Sequence, residues 1–500
     1  MSIPPAPARR TLVMSAAVVV TVLVAGLLLR ALVIRSSWGE LNGDEAYAGL
    51  QSLGVLRDGR FPVVMDGSVY GAVIDAYLLS PLLVFAGGSI SVLKWAYVVF
   101  WVLAAVAVCG IARHLAGRRA DACAAVLVWL APGALLVLST RAYMGYALGL
   151  AVATTALWAV AVVADQPAAS ARGSALVGFL AGLAFYIHPM WVTLLGPVVA
   201  VAAVVHHRDW RRWWLPAIAG ALAANSAFLL WNATNRWPSL TSQVYPPGTF
   251  IDRLRAFATG LLPRAFGLRT FDGRWVIGKP LGLLIYALII IGVVAGCVVM
   301  TRSSRRASRW IVPVGLVVTF PAMAMLPHLI YVDDGRYGII TFPLIAISLG
   351  VALSRVIASF APRRALVGVL AFATLWVGIT VIPFWHRQRG FDRAEPNAWI
   401  DQVIDRLDQA GIDHVAGSYW LILPLEFRSD QRIRTAVAGN PYVIRMPLSQ
   451  RTVGRVPAEE VAFIFPPGDQ PPGWLYLPLD EYRLEDLGGV TLYLPPAAIT

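Results

Sequence analysis

Apolar residues in this chain fall into long runs and not into the alternating or one-faced patterns of soluble elements. The runs lie near residues 11–34, 90–112, 121–138, 146–164, 173–189, 190–205, 213–231, 280–300, 310–329, 337–354 and 365–385. Most are about 17 to 25 residues long, the length at which an α-helix crosses roughly 30 Å of hydrocarbon. The pattern predicts eleven transmembrane helices, with the fifth and sixth parted only at His188-Pro189. The first run follows Arg9 and Arg10, is longer than the apolar core of a signal peptide and has no small-residue cleavage site, so it reads as a retained signal anchor. Near Phe391 the pattern changes. Pro396 to Leu407 has helical periodicity ending near Gly411, and short β-like runs follow at 414–420, 432–438, 461–465 and 490–494. The reading is therefore a membrane module over residues 1–390 and a small α/β domain over 391–500.

Composition and charge sharpen this. A hydrophobic share of 58% with only 14% charged residues does not describe a set of soluble surfaces. Arginines cluster at Arg9 and Arg10, at Arg113, Arg118 and Arg119, at Arg208, Arg211 and Arg212, at Arg302, Arg305, Arg306 and Arg309, and at Arg355, Arg363 and Arg364. With eleven spans all of these fall on the side of the N-terminus, as does the weaker loop at 165–172. Cytoplasmic loops are the basic ones, so the expectation is a multi-pass plasma-membrane protein with a cytoplasmic N-terminus and an extracytoplasmic C-terminal domain. The net charge of +13 then reflects topology and contact with anionic lipid. No basic run is interleaved with aromatics in a soluble stretch, which argues against nucleic acid. Cys109, Cys123 and Cys297 sit inside apolar runs without ligand-type spacing and read as free thiols.

Candidate chemistry lies in the outward loops. After the first run comes Gly43-Asp44-Glu45-Ala46-Tyr47, leading into a helical stretch that stops at Asp58-Gly59. Asn42 with Glu45 matches a variant capping box, which offers Glu45 a structural duty; Asp44 has none beyond the helix dipole. Tyr70 and Gly71 precede Asp75, a carboxylate in an apolar stretch, where charge is costly unless it meets water or a partner. Arg141 and Tyr143 form a second outward site. Arg336 and Tyr337 form a third, placed just before an apolar run, where an arginine suits phosphate recognition through its planar fork or pairs locally with Asp333 or Asp334. His188 reads equally as an interfacial histidine or a substrate contact. The loop from 232 to 279, with Pro246-Pro247-Gly248, suits interfacial helices covering a site, as does the loop at 35–89.

Taken together, an outward Asp44-Glu45 pair after the first span, the Tyr70-Gly71 element with Asp75, and Arg336-Tyr337 before a late span resemble the GT-C glycosyltransferases, in particular bacterial family 39-like members of the protein-mannosyltransferase and aminoarabinose-transferase type. The resemblance covers roughly residues 10–385. It implies a polyprenyl-phosphate-linked sugar donor reached from membrane lipid, an acceptor glycan, lipid or protein, and inverting displacement with Asp44 as general base. Glu45, in the catalytic site with Asp44, and Asp75 would orient the base or the acceptor. Arg336, helped by Arg141, would meet the leaving phosphate, with Tyr70, Tyr143, His188 and Tyr337 as further substrate contacts. Some relatives are associated with a divalent metal, but no dense ligand cluster stands in this sequence, so no cofactor is assigned. The rival class is a transporter or flippase that moves a lipid-linked sugar unchanged; clustering of the acids at one interface favours chemistry.

Overall fold

The computed structural model describes residues 6–241, 248–303, 306–325, 335–388, 395–438, 445–469 and 481–496. Tyr331, Asp333, Asp334, Pro246, Pro247, Arg305 and Phe391 lie outside the described residues. Seven helices are long and apolar enough to cross a membrane: Ala17–Arg35, Ile90–Ala116, Ala147–Ala164, Trp214–Thr234, Lys279–Arg302, Ala307–Met325 and Arg364–Arg387. Shorter apolar helices occupy Ala171–Ile187, Pro189–Val205 and Phe342–Ala358, on three further predicted runs, and Ile74–Ala86. The last has 13 residues and at 1.5 Å per residue falls well short of the hydrocarbon thickness, so it lies outside the spans. Cys109, Cys123 and Cys297 are free. The chain divides into two units. One holds Met1–Leu32, Val98–Ser139 and Tyr146–Phe391; the other holds Val33–Tyr97, Thr140–Gly145 and Asp392–Thr500.

In the first unit the run at 121–138 is two helices, Arg118–Trp129 and Gly133–Leu138, and not the single span its length predicts. The cause is Pro132, which has no N–H to donate and whose ring collides with the carbonyl four residues back. A carbonyl freed in hydrocarbon has no water to turn to. Each of the three at this break has found a donor from a distant stretch: Trp101 Nε1 donates to the Val128 oxygen, Arg30 to that of Trp129 and Trp376 Nε1 to that of Leu130, each at 2.9 Å. Arg30, fully buried in the first apolar helix, also lies 4.1 Å over the Trp129 ring. The arginine of the first apolar run thus caps the broken helix.

Small residues set another packing contact. A Cβ on Gly178 would stand 1.8 Å from the Ala217 carbonyl oxygen, and one on Gly220 would stand 2.1 Å from that of Ala175. The Ala171–Ile187 and Trp214–Thr234 helices therefore touch backbone to backbone, as small residues allow between membrane helices. Asn225 adds a hydrogen bond to the Gly182 carbonyl at 2.9 Å.

The second unit carries a five-stranded sheet in the order β2-β1-β3-β5-β4, with β1 His414–Gly417, β2 Arg434–Val437, β3 Ala462–Phe465, β4 Arg483–Asp486 and β5 Thr491–Leu494. Strands β2, β1 and β3 run parallel, and β5 is antiparallel to both β3 and β4. Ala416, Phe463, Phe465, Tyr482 and Tyr493 pack a core. Strand β4 went unpredicted because Arg-Leu-Glu-Asp is polar, as an edge strand tolerates. The predicted strand at 414–420 stops at Gly417 and gives way to the Tyr419–Arg428 helix. Glu426 of that helix turns inward, taking hydrogen bonds from Thr435 and Ser449, and burial raises its pKa.

The Gly178 contact predicts that Gly178→Val lowers the thermal midpoint of the purified protein by an amount equivalent to about 2–3 kcal/mol. Gly196→Ala, at a helical glycine with open space around it, leaves the midpoint unchanged or slightly raised. Scanning fluorimetry of the two variants in one detergent checks this.

Candidate functional site

The site residues of the second unit begin at the Gly43–Arg57 helix. Asn42 caps it, its side chain accepting from the Glu45 N–H at 3.0 Å. The predicted capping box is only half made, because the Glu45 carboxylate goes elsewhere. Its Oε1 accepts from Lys94 Nζ at 2.6 Å and from the Ala142 N–H at 3.0 Å, and its Oε2 accepts from Arg141 at 2.6 Å. Glu45 and Lys94 are both fully buried. Burial alone would push the Glu45 carboxyl up, but Lys94 and Arg141 outweigh it and hold the group below the usual carboxylate range. Arg141 also donates to the Glu40 carbonyl at 2.6 Å, and despite burial Glu45 raises its pKa.

Glu45, expected to share the catalytic site with Asp44, is enclosed as a counter-ion, and Arg141, expected to help Arg336 at a phosphate, is paired with it through Nη1. Tyr143 is drawn into the same corner, where Asn42 donates to its hydroxyl at 2.8 Å.

Asp44 has the opposite fate. Successive residues on an α-helix point about 100° apart, so turning Glu45 inward turns Asp44 toward the surface, where it is half-buried. Its Oδ1 accepts from the Tyr419 hydroxyl at 2.9 Å. Burial and the Asp44 charge together raise the Tyr419 pKa, which keeps the phenol a donor. Gly43 makes this approach possible, since a Cβ there would stand 2.8 Å from the Tyr419 ring and 2.9 Å from its carbonyl oxygen. The segment before the helix is tied to the C-terminal part of the unit as well: Asn397 accepts from the Leu41 N–H at 2.9 Å, and Trp399 donates to Glu40 at 3.0 Å.

Asp75 stands in the first turn of Ile74–Ala86, fully buried. Its Oδ2 accepts from the Gly145 N–H at 2.9 Å and from the Tyr97 hydroxyl at 3.4 Å, while Oδ1 has no hydrogen-bond partner. Burial pushes its pKa up to about 6 against the hydrogen bonds that lower it. Asp75, expected as a substrate contact, is closed in here and holds the end of the turn that carries Arg141 and Tyr143. Tyr70 is 40% exposed in the loop before it, where Met65 bonds to the Gly71 carbonyl.

Sequence reasoning missed Lys94 and Arg445, and it read Tyr419, with Trp420 and Glu426, as an acceptor contact or a core residue without its partner Asp44. The signal for Lys94 was available: it is one of two lysines in the chain and stands inside an apolar run. Arg445 donates to the Asp66 carbonyl at 2.9 Å and lies 5.7 Å over the Tyr47 ring. Tyr47 in turn accepts from the Asp66 N–H. Nothing in the local sequence marks that partnership.

The remaining predicted residues belong to the first unit and gather around Tyr146. The Arg336 guanidinium lies 5.9 Å from the Tyr146 ring and 5.5 Å from that of Tyr337, within cation–π range. The Tyr146 ring is 6.0 Å from both His188 and Tyr337. His188 Nδ1 accepts from the Met190 N–H at 3.2 Å, capping the turn that Pro189 opens. A divalent metal would need carboxylate oxygens facing it. Both Glu45 oxygens already accept from nitrogen donors, so the acidic pair is not such a set. Among the described residues no three of His, Cys, Asp and Glu converge.

No protein-family model matches the chain, and no curated protein matches it by sequence. Solved structures do. ArnT from Cupriavidus metallidurans in the apo state aligns with a TM-score of 0.65 at 15% identity, over 96% of this chain and 98% of that one. The same protein bound to undecaprenyl phosphate aligns at 0.61 and 16% identity, over 95% and 97%. The archaeal oligosaccharyltransferase AglB from Archaeoglobus fulgidus, in complex with an inhibitory peptide and a dolichol-phosphate, aligns at 0.50 and 15% identity, over 89% of this chain and 69% of that one. The chain therefore has the fold of the GT-C glycosyltransferases, the superfamily its acidic pair and late arginine resemble.

Proposed function

We propose that the protein is a membrane glycosyltransferase that moves a sugar from a polyprenyl-phosphate donor to a hydroxyl acceptor, with Asp44 as general base. The observation that carries this is the unequal fate of the two adjacent acids. Glu45 is saturated by two cations and an N–H, whereas Asp44 stands at the surface with a tyrosine hydroxyl on one oxygen. That is what a base requires: a carboxylate in a fixed place with an oxygen to spare for a proton. Undecaprenyl phosphate bound to one fold neighbour and a dolichol-phosphate bound to another support a lipid-linked donor.

In the reaction the acceptor oxygen attacks the anomeric carbon as its proton passes to Asp44. The bond from that carbon to the phosphate oxygen breaks, its electron pair leaves on polyprenyl phosphate, and configuration inverts. Charge grows on the phosphate as it departs, and a fixed cation stabilises it. Arg336, its guanidinium set among Tyr146 and Tyr337, is the arginine we assign to that charge; Arg141 engages Glu45 through Nη1. The arginine clusters support a cytoplasmic N-terminus and, with it, chemistry on the extracytoplasmic side.

Transfer of label from a radioactive polyprenyl-phosphate hexose or pentose into membrane acceptors tests the reading. Asp44→Asn is expected to lower transfer at least a hundredfold at matched expression; undiminished transfer in that variant removes Asp44 from the role of base. Asp75 yields a pH prediction. Its pKa is raised in the fold, so the contribution of the neutral acid is full below about pH 4 and is lost as pH rises to about 6. Asp75→Asn, which imitates the neutral acid, is expected to match wild type below about pH 4 and to be the more stable above about pH 6, by on the order of 2–3 kcal/mol. Thermal unfolding at a series of pH values measures the crossover.

A further inference from the structure

The Tyr419–Arg428 helix does more than hold the base. Tyr419 is buried, its hydroxyl on Asp44 and its ring against Gly43. The next residue, Trp420, is 55% exposed, and its ring meets that of Tyr419 edge to face at 5.0 Å and 85°. Among the described residues from 395 onward it is the one aromatic side chain left exposed to this degree. An indole held in water forgoes the burial that makes tryptophan stabilising. This one is also held in a fixed orientation, by the edge-to-face contact with a tyrosine that is itself fixed by Asp44 and Gly43. A flat, open apolar surface packed on the tyrosine that holds a carboxylate matches the C–H face of a pyranose ring, whose hydroxyl-bearing edge would be left to the carboxylate.

We propose that Trp420 is the platform of an acceptor subsite for a carbohydrate, stacking a pyranose ring so that a hydroxyl of the same or the adjoining sugar is presented to Asp44. Indole, tyrosine and carboxylate form a continuous chain of contacts. This rests on the glycosyltransferase reading for its chemistry and narrows the acceptor from any hydroxyl compound to a glycan. Tyr419 is a positioning residue in it: its hydrogen bond fixes Asp44, and its ring fixes the indole.

The test separates the two readings. Saturation-transfer NMR on the full-length protein in nanodiscs, with methyl hexosides, methyl pentosides and their disaccharides as probes, reads saccharide binding without turnover. Trp420→Ala is expected to weaken binding of the best probe about tenfold, and Trp420→Phe, which keeps an aromatic face, to retain most of it. In the transfer assay Trp420→Ala raises KM for a saccharide acceptor by a similar factor while KM for the lipid donor stays put. Because Trp420 is an exposed side chain, unchanged thermal midpoints confirm that both variants fold. Saccharide binding that depends on Trp420 in a protein that transfers no sugar upholds the platform and overturns the glycosyltransferase reading. Wild-type transfer with saccharide binding and acceptor KM unaltered in Trp420→Ala overturns the platform alone. If no probe binds wild type, the platform is also overturned.

Discussion

The second unit depends on one buried carboxylate. Glu45 lies inside the protein at full charge, and a buried charge is tolerable only when it is paired and its remaining lone pairs are filled. Its partners come from separate parts of the chain: Lys94 from the start of a long apolar helix, and Arg141 and the Ala142 N–H from the 140–145 turn. Satisfying Glu45 therefore brings three sequence-distant segments into register. It also decides what Asp44 does, because a helix cannot turn two successive side chains the same way. The pitch of the helix thus gives neighbouring acids different surroundings, Glu45 enclosed and Asp44 half-buried beside Tyr419.

The membrane imposes a matching discipline on the first unit. Where Pro132 interrupts a helix, the stranded carbonyls have no water available, and the chain supplies Trp101, Arg30 and Trp376 in its place. The same accounting explains why an arginine stands in the first apolar run. Between other helices the contact is made by removing side chains altogether, as at Gly178 and Gly220, since apolar side chains gain little by leaving lipid for protein.

Much of this was legible in the chain. Run length gave the membrane class, and the break at His188-Pro189 fell where proline placed it. Four of the five strands stood out by their apolar residues. Asp44 was visible as an acid without structural duty. What stayed hidden depends on three-dimensional partners. The helix break at Pro132 was masked by apolar residues on both sides of it. Glu45 and Arg141 looked reactive because a charged residue in a sequence does not disclose the opposite charge that encloses it; Lys94, some fifty residues away, was the missing half. Tyr419 lies far along the chain from Asp44, and its own surroundings mark it as an acceptor contact or core residue without disclosing that its hydroxyl meets Asp44. Strand β4 was hidden for the reverse reason: an edge strand needs no apolar pattern.

The central claim is that of two adjacent acids one builds the site and the other reacts in it. Thermal unfolding of purified Asp44→Asn and Glu45→Gln, side by side with wild type, tests this most directly. The account predicts that Asp44→Asn keeps the wild-type midpoint to within a few degrees, because it exchanges one half-exposed oxygen acceptor for another. Glu45→Gln strands Lys94 as an uncompensated buried cation and is predicted to lose about 3–5 kcal/mol of stability or to fail to accumulate. Equal midpoints for the two variants, or a greater loss for Asp44→Asn, would contradict it.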